Sequence, residues 1–112
     1  MKRNDKTSNP TPRVKKEKAV IGKLLIIGIT YYKHDGTFIE RKQLYGKITN
    51  VYKDSIAVEL EGTNAGTIFY IPRNLRALLK ASPGIYELKS TGELVTNQDY
   101  TTMWNVTKPP PD

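Results

Sequence analysis

The sequence predicts a mostly β protein: one small, strongly bent antiparallel sheet or barrel of five to seven strands, with one short helical turn. Three observations favour this fold class. Ile56, Val58 and Leu60 alternate strictly with their neighbours, which is the period of a β-strand. Turn residues such as Asp35-Gly36 separate the short apolar runs. Those runs are rich in β-branched and aromatic residues, which favour strands over helices.

The centre of the predicted fold is a meander of three strands. The run LLIIGITYY, from Leu24 to Tyr32, is apolar on both faces, so it must be covered on both sides or lie at a contact. The chain turns at His34-Asp35-Gly36 and returns as a second strand from Thr37 to Tyr52. This strand begins with the polar residues Glu40 to Gln43, which predict an exposed edge or a bulge. A turn at Lys53-Asp54-Ser55 leads into the alternating third strand.

The later elements are shorter, and proline or glycine residues separate them. Asn74 is placed to cap the helical turn, in which Leu75, Leu78 and Leu79 share one face. The predicted elements are a fourth strand from Thr67 to Ile71, the turn from Leu75 to Lys80, a hairpin of Gly84 to Leu88 with Glu93 to Thr96, and a last strand from Tyr100 to Val106.

The chain of 112 residues predicts a single domain at 19–107, between a disordered basic tail at 1–18 and a proline-rich tail at 108–112. The net charge is +7, but it is unevenly distributed. Residues 1–18 carry seven basic and two acidic side chains, whereas residues 19–112 carry eleven basic and nine acidic ones. The basic character therefore belongs mainly to the tail, where it predicts either an anchor for an anionic surface or a solvated terminus.

The composition argues against several classes of function. There is no cysteine and one histidine, His34, so thiolate chemistry, disulfides and a multi-histidine metal site cannot be built within one chain. No nucleophile lies at a fixed spacing from His34, and the glycines form no phosphate loop. We therefore expect a protein that is not an enzyme and that uses no cofactor and no metal.

A basic segment followed by AVIGKLLIIGI has some features of a signal peptide. Lys23 interrupts this apolar run, and no small-residue cleavage site follows it. The run is also far shorter than the ~20 residues that a membrane span needs. We expect a cytoplasmic protein that makes no membrane contact.

The residues that could bind a partner are Tyr, Lys, Arg and Glu side chains on or after the polar strand. Tyr and Arg form the energetic centres of protein interfaces, and aromatic rings interleaved with cations can also stack nucleic-acid bases. The same Tyr rings could instead be half-buried core residues with wet hydroxyl groups. The predicted partner-binding residues are Glu40, Arg41, Lys42, Tyr45, Lys47, Tyr52, Arg73 and Arg76.

The segment LYGKITNVYKDSIAVEL, from Leu44 to Leu60, resembles small barrels of the Sm and Src-homology kind. The resemblance implies that Gly46 sits where a strand bends across itself. It also implies that Ile48, Ile56, Val58 and Leu60 fill the interior. The segment from Phe69 through the Trp104 strand is similar to short bacterial proteins of the toxin-immunity type.

Two hypotheses of function follow. The first is a non-catalytic protein that occludes a protein partner, such as an immunity protein neutralising its cognate toxin. The alternative is a small-barrel protein that binds RNA or single-stranded DNA through residues 1–18 and through surface residues including Tyr45, Lys47 and Tyr52. Either a monomer or a dimer fits the two-sided apolar first strand.

Overall fold

The structure is a computed structural model that describes residues 12–111, with side chains from residue 15 onward. It confirms a mostly β protein and has eight strands where five to seven were predicted. The elements are helix α1 (Pro12–Val20), strands β1 (Leu24–Tyr32), β2 (Phe38–Val51) and β3 (Ser55–Leu60), a 3-10 turn (Gly62–Asn64), β4 (Ile68–Pro72), a second 3-10 turn (Leu75–Ala77), and strands β5 (Leu79–Lys80), β6 (Ile85–Glu87), β7 (Leu94–Thr96) and β8 (Tyr100–Thr107).

Six strands form one curled sheet in the order β4-β3-β2-β1-β8-β5, and β6 and β7 form a separate hairpin. The sheet is not a closed barrel, because β4 and β8 are not paired with each other. The prediction of a purely antiparallel sheet is also wrong, since β8 runs parallel to β1. The Leu24 N–H donates to the Asp99 carboxylate at 2.8 Å and the Asp99 N–H donates to the Leu24 carbonyl at 3.0 Å, so both strands start at the same end.

β1 is a central strand with apolar contacts on both faces, as its two-sided apolar sequence predicts. Leu25, Ile27 and Ile29 belong to the main core inside the curl of the sheet. Ile26 points to the outer face, where it packs with Leu88 and Val95 in a second core. The β6–β7 hairpin covers this outer face, which explains why β1 shows no alternation of apolar and polar residues.

The main core matches what the barrel resemblance implies for the meander. Ile48, Ile56, Val58 and Leu60 are all buried. A Cβ atom added at Gly46 would lie 2.2 Å from the backbone oxygen of Glu59. Only glycine therefore allows β3 to approach β2 this closely at the point where their pairing begins.

Helix α1 is tied to the sheet at its C-terminal end. Val20 is fully buried in the main core, and the Gly22 N–H donates to the Ile48 carbonyl at 2.7 Å. The tail boundary predicted between residues 18 and 19 thus falls inside α1. Residues 1–11 of the predicted tail lie outside the described part of the chain.

The predicted helical turn from Leu75 to Lys80 is shorter in the structure. The Asn74 side chain caps the 3-10 turn as predicted, because its Oδ1 accepts from the Arg76 N–H at 3.1 Å. The turn ends at Ala77, since Leu79 and Lys80 form β5 and pair with the start of β8. A sheet partner that is distant in sequence therefore overrides the local helical pattern.

Candidate protein-binding surface

The first half of β2 lies at an edge of the sheet. β2 pairs with β1 from Phe38 to Lys47, but it pairs with β3 only from Gly46 onward. The segment Phe38–Gln43, called here the charged edge, therefore has a strand on one side only. This arrangement confirms the exposed edge that the polar residues Glu40 to Gln43 predict.

The hairpin loop between β6 and β7 covers the last residue of the charged edge. The Gln43 N–H donates to Ser90 Oγ at 3.0 Å, and the Lys89 N–H donates to the Gln43 side-chain oxygen. At the other end, the rings of Tyr32 and Phe38 meet edge to face with centroids 6.4 Å apart. Between these two contacts, no strand of the described part of the chain pairs with the backbone edge from Phe38 to Lys42.

The side chains of the charged edge alternate between the two faces of the sheet. Glu40 and Lys42 share the inner face with Tyr31 and Ile29, their cross-strand partners. Arg41 lies on the outer face, where its Nε donates to Thr30 Oγ1 at 3.3 Å. Beside this edge lies a groove of about 610 Å³, whose lining includes Tyr31, Glu40, Arg41, Lys42, Leu44, Thr63 and Phe69.

Two lysine side chains converge on one ring at the end of this groove. The Lys42 Nζ lies 5.9 Å from the centroid of the Tyr31 ring, and the Lys108 Nζ lies 5.6 Å from it. Among the described residues, neither ammonium group forms an ion pair within 4.0 Å. The lining of the groove also includes Arg41, whose side chain lies on the outer face, and Glu40. The groove therefore offers mainly positive charge, which fits carboxylate groups.

A hydrogen-bonded cluster anchors β2 just after the charged edge. The Tyr45 hydroxyl donates to Glu93 Oε2 at 3.2 Å, and the Thr63 N–H donates to the same oxygen at 3.3 Å. Burial of the ring, together with the hydrogen bond to Glu93, raises the pKa of Tyr45 above its usual value. The cluster joins the β6–β7 hairpin and the loop after β3 to β2, so the Tyr45 hydroxyl has an internal partner.

The other predicted partner-binding residues lie elsewhere. Lys47 is exposed on the outer face opposite Glu59. Tyr52 is exposed at the far end of β2, roughly 30 Å along the strand from Lys42. Arg73 lies beside the β2–β3 turn and pairs with Glu17, and Arg76 is exposed in the following 3-10 turn. The structure thus groups Glu40, Arg41 and Lys42 and separates them from Tyr52, Arg73 and Arg76.

Several residues that line this groove and the neighbouring apolar cleft carry no obvious signal in the sequence. The sequence pattern predicts ordinary strand residues at Tyr31, Phe69 and Trp104, and it predicts that Lys108 begins a solvated tail. They meet because β8 returns beside β1, a pairing between segments about 75 residues apart. The absence of any charged residue from Tyr100 to Thr107 is the one usable signal, and it only indicates that this strand contacts other apolar groups.

Comparisons of this chain with protein-family models, with curated protein sequences and with solved structures find no match. Within residues 12–111, no helix has both the length and the apolar composition that crossing a bilayer requires.

Proposed function

We propose that this chain is a non-catalytic binding protein that acts by occluding a protein partner. The observation that carries the proposal is the charged edge, which forms one wall of a groove of about 610 Å³. The partner class suggested by the resemblance to toxin-immunity proteins is a cognate toxin. The proposal places the groove and the charged edge over the partner's functional surface.

The chemistry of the charged edge favours recognition through side chains. Charged residues on an exposed strand discourage pairing with a foreign strand, so the backbone of this edge is protected. Lys42 is exposed next to the half-buried Tyr31 on the inner face, and Arg41 is exposed on the outer face. Arginine and tyrosine are the residue types that most often dominate interface energies. A partner with acidic residues around an apolar side chain would match this surface.

Affinity capture from the source cells tests the proposal. The bait is the full chain with a C-terminal tag, and lysates are treated with nuclease before capture. We expect a protein in stoichiometric amount, whose own activity falls when the untagged chain is added. The triple variant Glu40→Lys, Arg41→Glu, Lys42→Glu should lose this protein, because it reverses the charges of the edge without touching a buried residue.

A matched control reverses two charges that the proposal leaves out. The pair Lys47→Glu, Glu59→Lys lies on the outer face of two paired strands and should still capture the partner. Recovery of nucleic acid without a stoichiometric protein would contradict the proposal. Equal capture of the partner by the triple variant and by the control would show that the charged edge is not part of the binding surface.

One observation favours the alternative, a protein that binds nucleic acid. The Lys16 Nζ lies 6.0 Å from the Tyr100 ring centroid, and Lys23 and Lys80 line a shallow hollow beside the same ring. A lysine near an aromatic ring, with two more lysines and Asp99 in the adjacent hollow, resembles a site for a phosphate backbone with a stacked base. This basic end lies next to α1, and the nucleic-acid hypothesis from the sequence also uses residues 1–18.

Fluorescence anisotropy with labelled single-stranded RNA and DNA tests this alternative. Binding should weaken steeply as salt increases, because phosphate contacts release counterions. The triple variant Lys16→Glu, Lys23→Glu, Lys80→Glu is preferable to deletion of residues 1–18, since α1 carries the buried Val20 into the core. No binding at low salt, or binding that the variant retains in full, would exclude this alternative.

A further inference from the structure

The curled sheet has an open seam between β4 and β8. The two strands are not paired with each other, yet residues from both line one apolar cleft of about 170 Å³. The floor of the cleft comes from Ile29 and Tyr31 of β1. Its two walls are Phe69, Tyr70, Ile71 and Pro72 on one side and Trp104, Asn105 and Val106 on the other.

The β8 wall presents free backbone groups to the seam. The Lys108 N–H points to β1, where it donates to the Tyr32 carbonyl at 2.8 Å. Because successive N–H groups along a strand alternate in direction, those of Met103, Asn105 and Thr107 point away from β1. β5 pairs only with Tyr100 and Thr101, so in the described part of the chain no strand pairs with these three residues on that side.

The β4 wall is open in the same way. The Leu60 N–H donates to the Thr67 carbonyl, which fixes the hydrogen-bonding phase of the β3–β4 pair. Phe69 and Ile71 therefore direct their backbone groups to β3, whereas Ile68 and Tyr70 direct theirs to the seam. Across the seam β4 and β8 run antiparallel, so an added strand would be parallel to one wall and antiparallel to the other.

Neither wall carries the features that protect exposed edges. β4 and β8 contain no charged residue, and Pro72 is the only edge-blocking residue in either strand. Apolar side chains remain exposed on both strands beside the seam: Ile68 is 51% exposed, Tyr70 57% and Met103 69%. Uncharged, unpaired and apolar edges of this kind are suited to strand addition.

Trp104 adds an unused hydrogen-bond donor to the cleft. Its indole Nε1 is buried and has no acceptor among the described residues. Buried donors without an acceptor are unfavourable and uncommon in folded proteins. A backbone carbonyl of an inserted strand is an acceptor of the right kind for this position.

The charge at one end of the seam indicates the chemistry of the occupant. Tyr31 lines the cleft, and the Lys42 and Lys108 ammonium groups lie within 6 Å of its ring. Glu40 is the cross-strand neighbour of Tyr31, and the two lysines leave the local balance positive. A carboxylate at this end of the occupant would therefore be favourable.

We propose that the seam binds an extended segment of a partner protein by strand addition between β4 and β8. Alternate apolar side chains of that segment enter the cleft, and an acidic residue lies beside Tyr31, Lys42 and Lys108. The inference rests on the proposed function, since it states how the occluded partner is held. It adds a binding mode that uses backbone hydrogen bonds rather than the charged edge.

Titration with synthetic peptides tests the proposal on the full chain. The probe is a soluble peptide of alternating valine and threonine that ends in two glutamates, and the control peptide ends in two lysines. Trp104 is the single tryptophan, so its emission should move to shorter wavelength and saturate with the acidic probe. The outward amides of Met103, Asn105 and Tyr70 should exchange rapidly in the free protein and become protected in the complex.

Two substitutions in the walls should weaken probe binding, and a matched third should not. Ile68→Lys places a charge on the β4 edge, and Asn105→Pro removes an outward donor from the β8 edge. We expect each to weaken binding by about tenfold or more. Ile85→Lys makes the same chemical change at a side chain 71% exposed on the β6–β7 hairpin and should leave binding within about twofold.

Three results would overturn the inference. The outward amides could already be protected in the free protein, which would mean that the seam is closed. A second contrary result is that Ile68→Lys and Ile85→Lys weaken binding of the probe peptide equally. A third is that the chain self-associates through the seam, so that the occupant is a second copy. If the captured partner still binds Ile68→Lys and Asn105→Pro, the seam is excluded while the occlusion function stands. If the probe binds as described but no protein is captured, the occlusion function fails and the seam stands.

Discussion

The charged edge and the seam are two exposed strand edges of one sheet, and they differ in composition. The charged edge carries Glu40, Arg41 and Lys42 in six residues. The two walls of the seam, Ile68–Pro72 and Tyr100–Thr107, carry no charge. Both kinds of edge present backbone groups on one side, so the difference lies in the side chains that flank those groups.

The contrast shows how a small sheet can protect one edge from pairing with a foreign strand and leave another edge available for such pairing. Pairing a foreign strand with the charged edge would remove water from three ionised groups, which costs free energy unless each finds a partner. Pairing at the seam would bury apolar side chains and satisfy free backbone groups instead. The charged edge is therefore suited to side-chain recognition, and the seam to backbone recognition.

The largest expected effect concerns Gly46, the residue at which β2 stops being an edge and begins to pair with β3. Gly46→Ala should lower the free energy of unfolding by about 3 kcal/mol, because the new Cβ would overlap the Glu59 backbone. Urea unfolding measures the loss. Gly28→Ala is the matched control, since its Cβ would meet only ordinary contacts at 3.7 Å or more. Equal stability of the two variants would mean that β3 can move aside.

The next effect concerns the hydrogen-bonded cluster of Tyr45, Thr63 and Glu93, just after the charged edge. Tyr45→Phe removes the bond to Glu93 and should cost about 1 kcal/mol of unfolding free energy at neutral pH. The raised pKa of Tyr45 means that its contribution is complete below the usual value of 10.0 and is lost as the pH rises through the raised pKa. The stability difference between wild type and variant should therefore shrink above about pH 10.

Tyr52→Phe is the matched control for that measurement. Its side chain is 49% exposed, and among the described residues its hydroxyl accepts a hydrogen bond only from the Asn50 amide, at 3.2 Å. Urea unfolding between about pH 7 and about pH 11 should show little difference between this variant and wild type. If the Tyr45→Phe difference stayed constant across that range, ionisation of Tyr45 would not be coupled to folding.

The smallest effect on stability should come from removing the charges of the charged edge. The triple variant Glu40→Thr, Arg41→Thr, Lys42→Thr should change the unfolding free energy by no more than about 0.5 kcal/mol, since all three side chains are exposed. It should self-associate more than wild type in sedimentation experiments, because the edge then resembles the uncharged walls of the seam. The pair Lys47→Thr, Glu59→Thr lies on paired strands and should sediment as wild type does. Unchanged sedimentation of the triple variant would show that charge does not protect this edge.

The meander shows which features of the fold can be predicted from local sequence. The bounds of β1 match the apolar run from Leu24 to Tyr32, and the turn at Asp35-Gly36 has the positive φ that glycine supplies, 91° at Gly36. The polar residues of β2 predict its open edge, and Gly46 lies where β2 begins to pair with β3, with no room for a Cβ atom. Each of these features depends on residues close in sequence or on one tight turn.

The grouping of the predicted binding residues shows where local sequence stops being informative. Glu40, Arg41 and Lys42 stay together because they are consecutive. Tyr45 turns inward to Glu93, a contact between residues 48 positions apart, and Arg73 pairs with Glu17 across 56 positions. Nothing in the local pattern indicates these partners, so it could not separate binding residues from anchoring ones.

The sequence by itself determined the strand-rich class, the meander, the Asn74 cap and the position of the charged edge. Those features follow from side-chain periodicity, backbone preferences and charge, which act over a few residues. Only the tertiary structure decided that β8 runs parallel to β1, that the sheet stays open, and that Tyr31 meets two lysines. These features depend on which surfaces are buried together, and burial does not depend on the distance between residues along the chain.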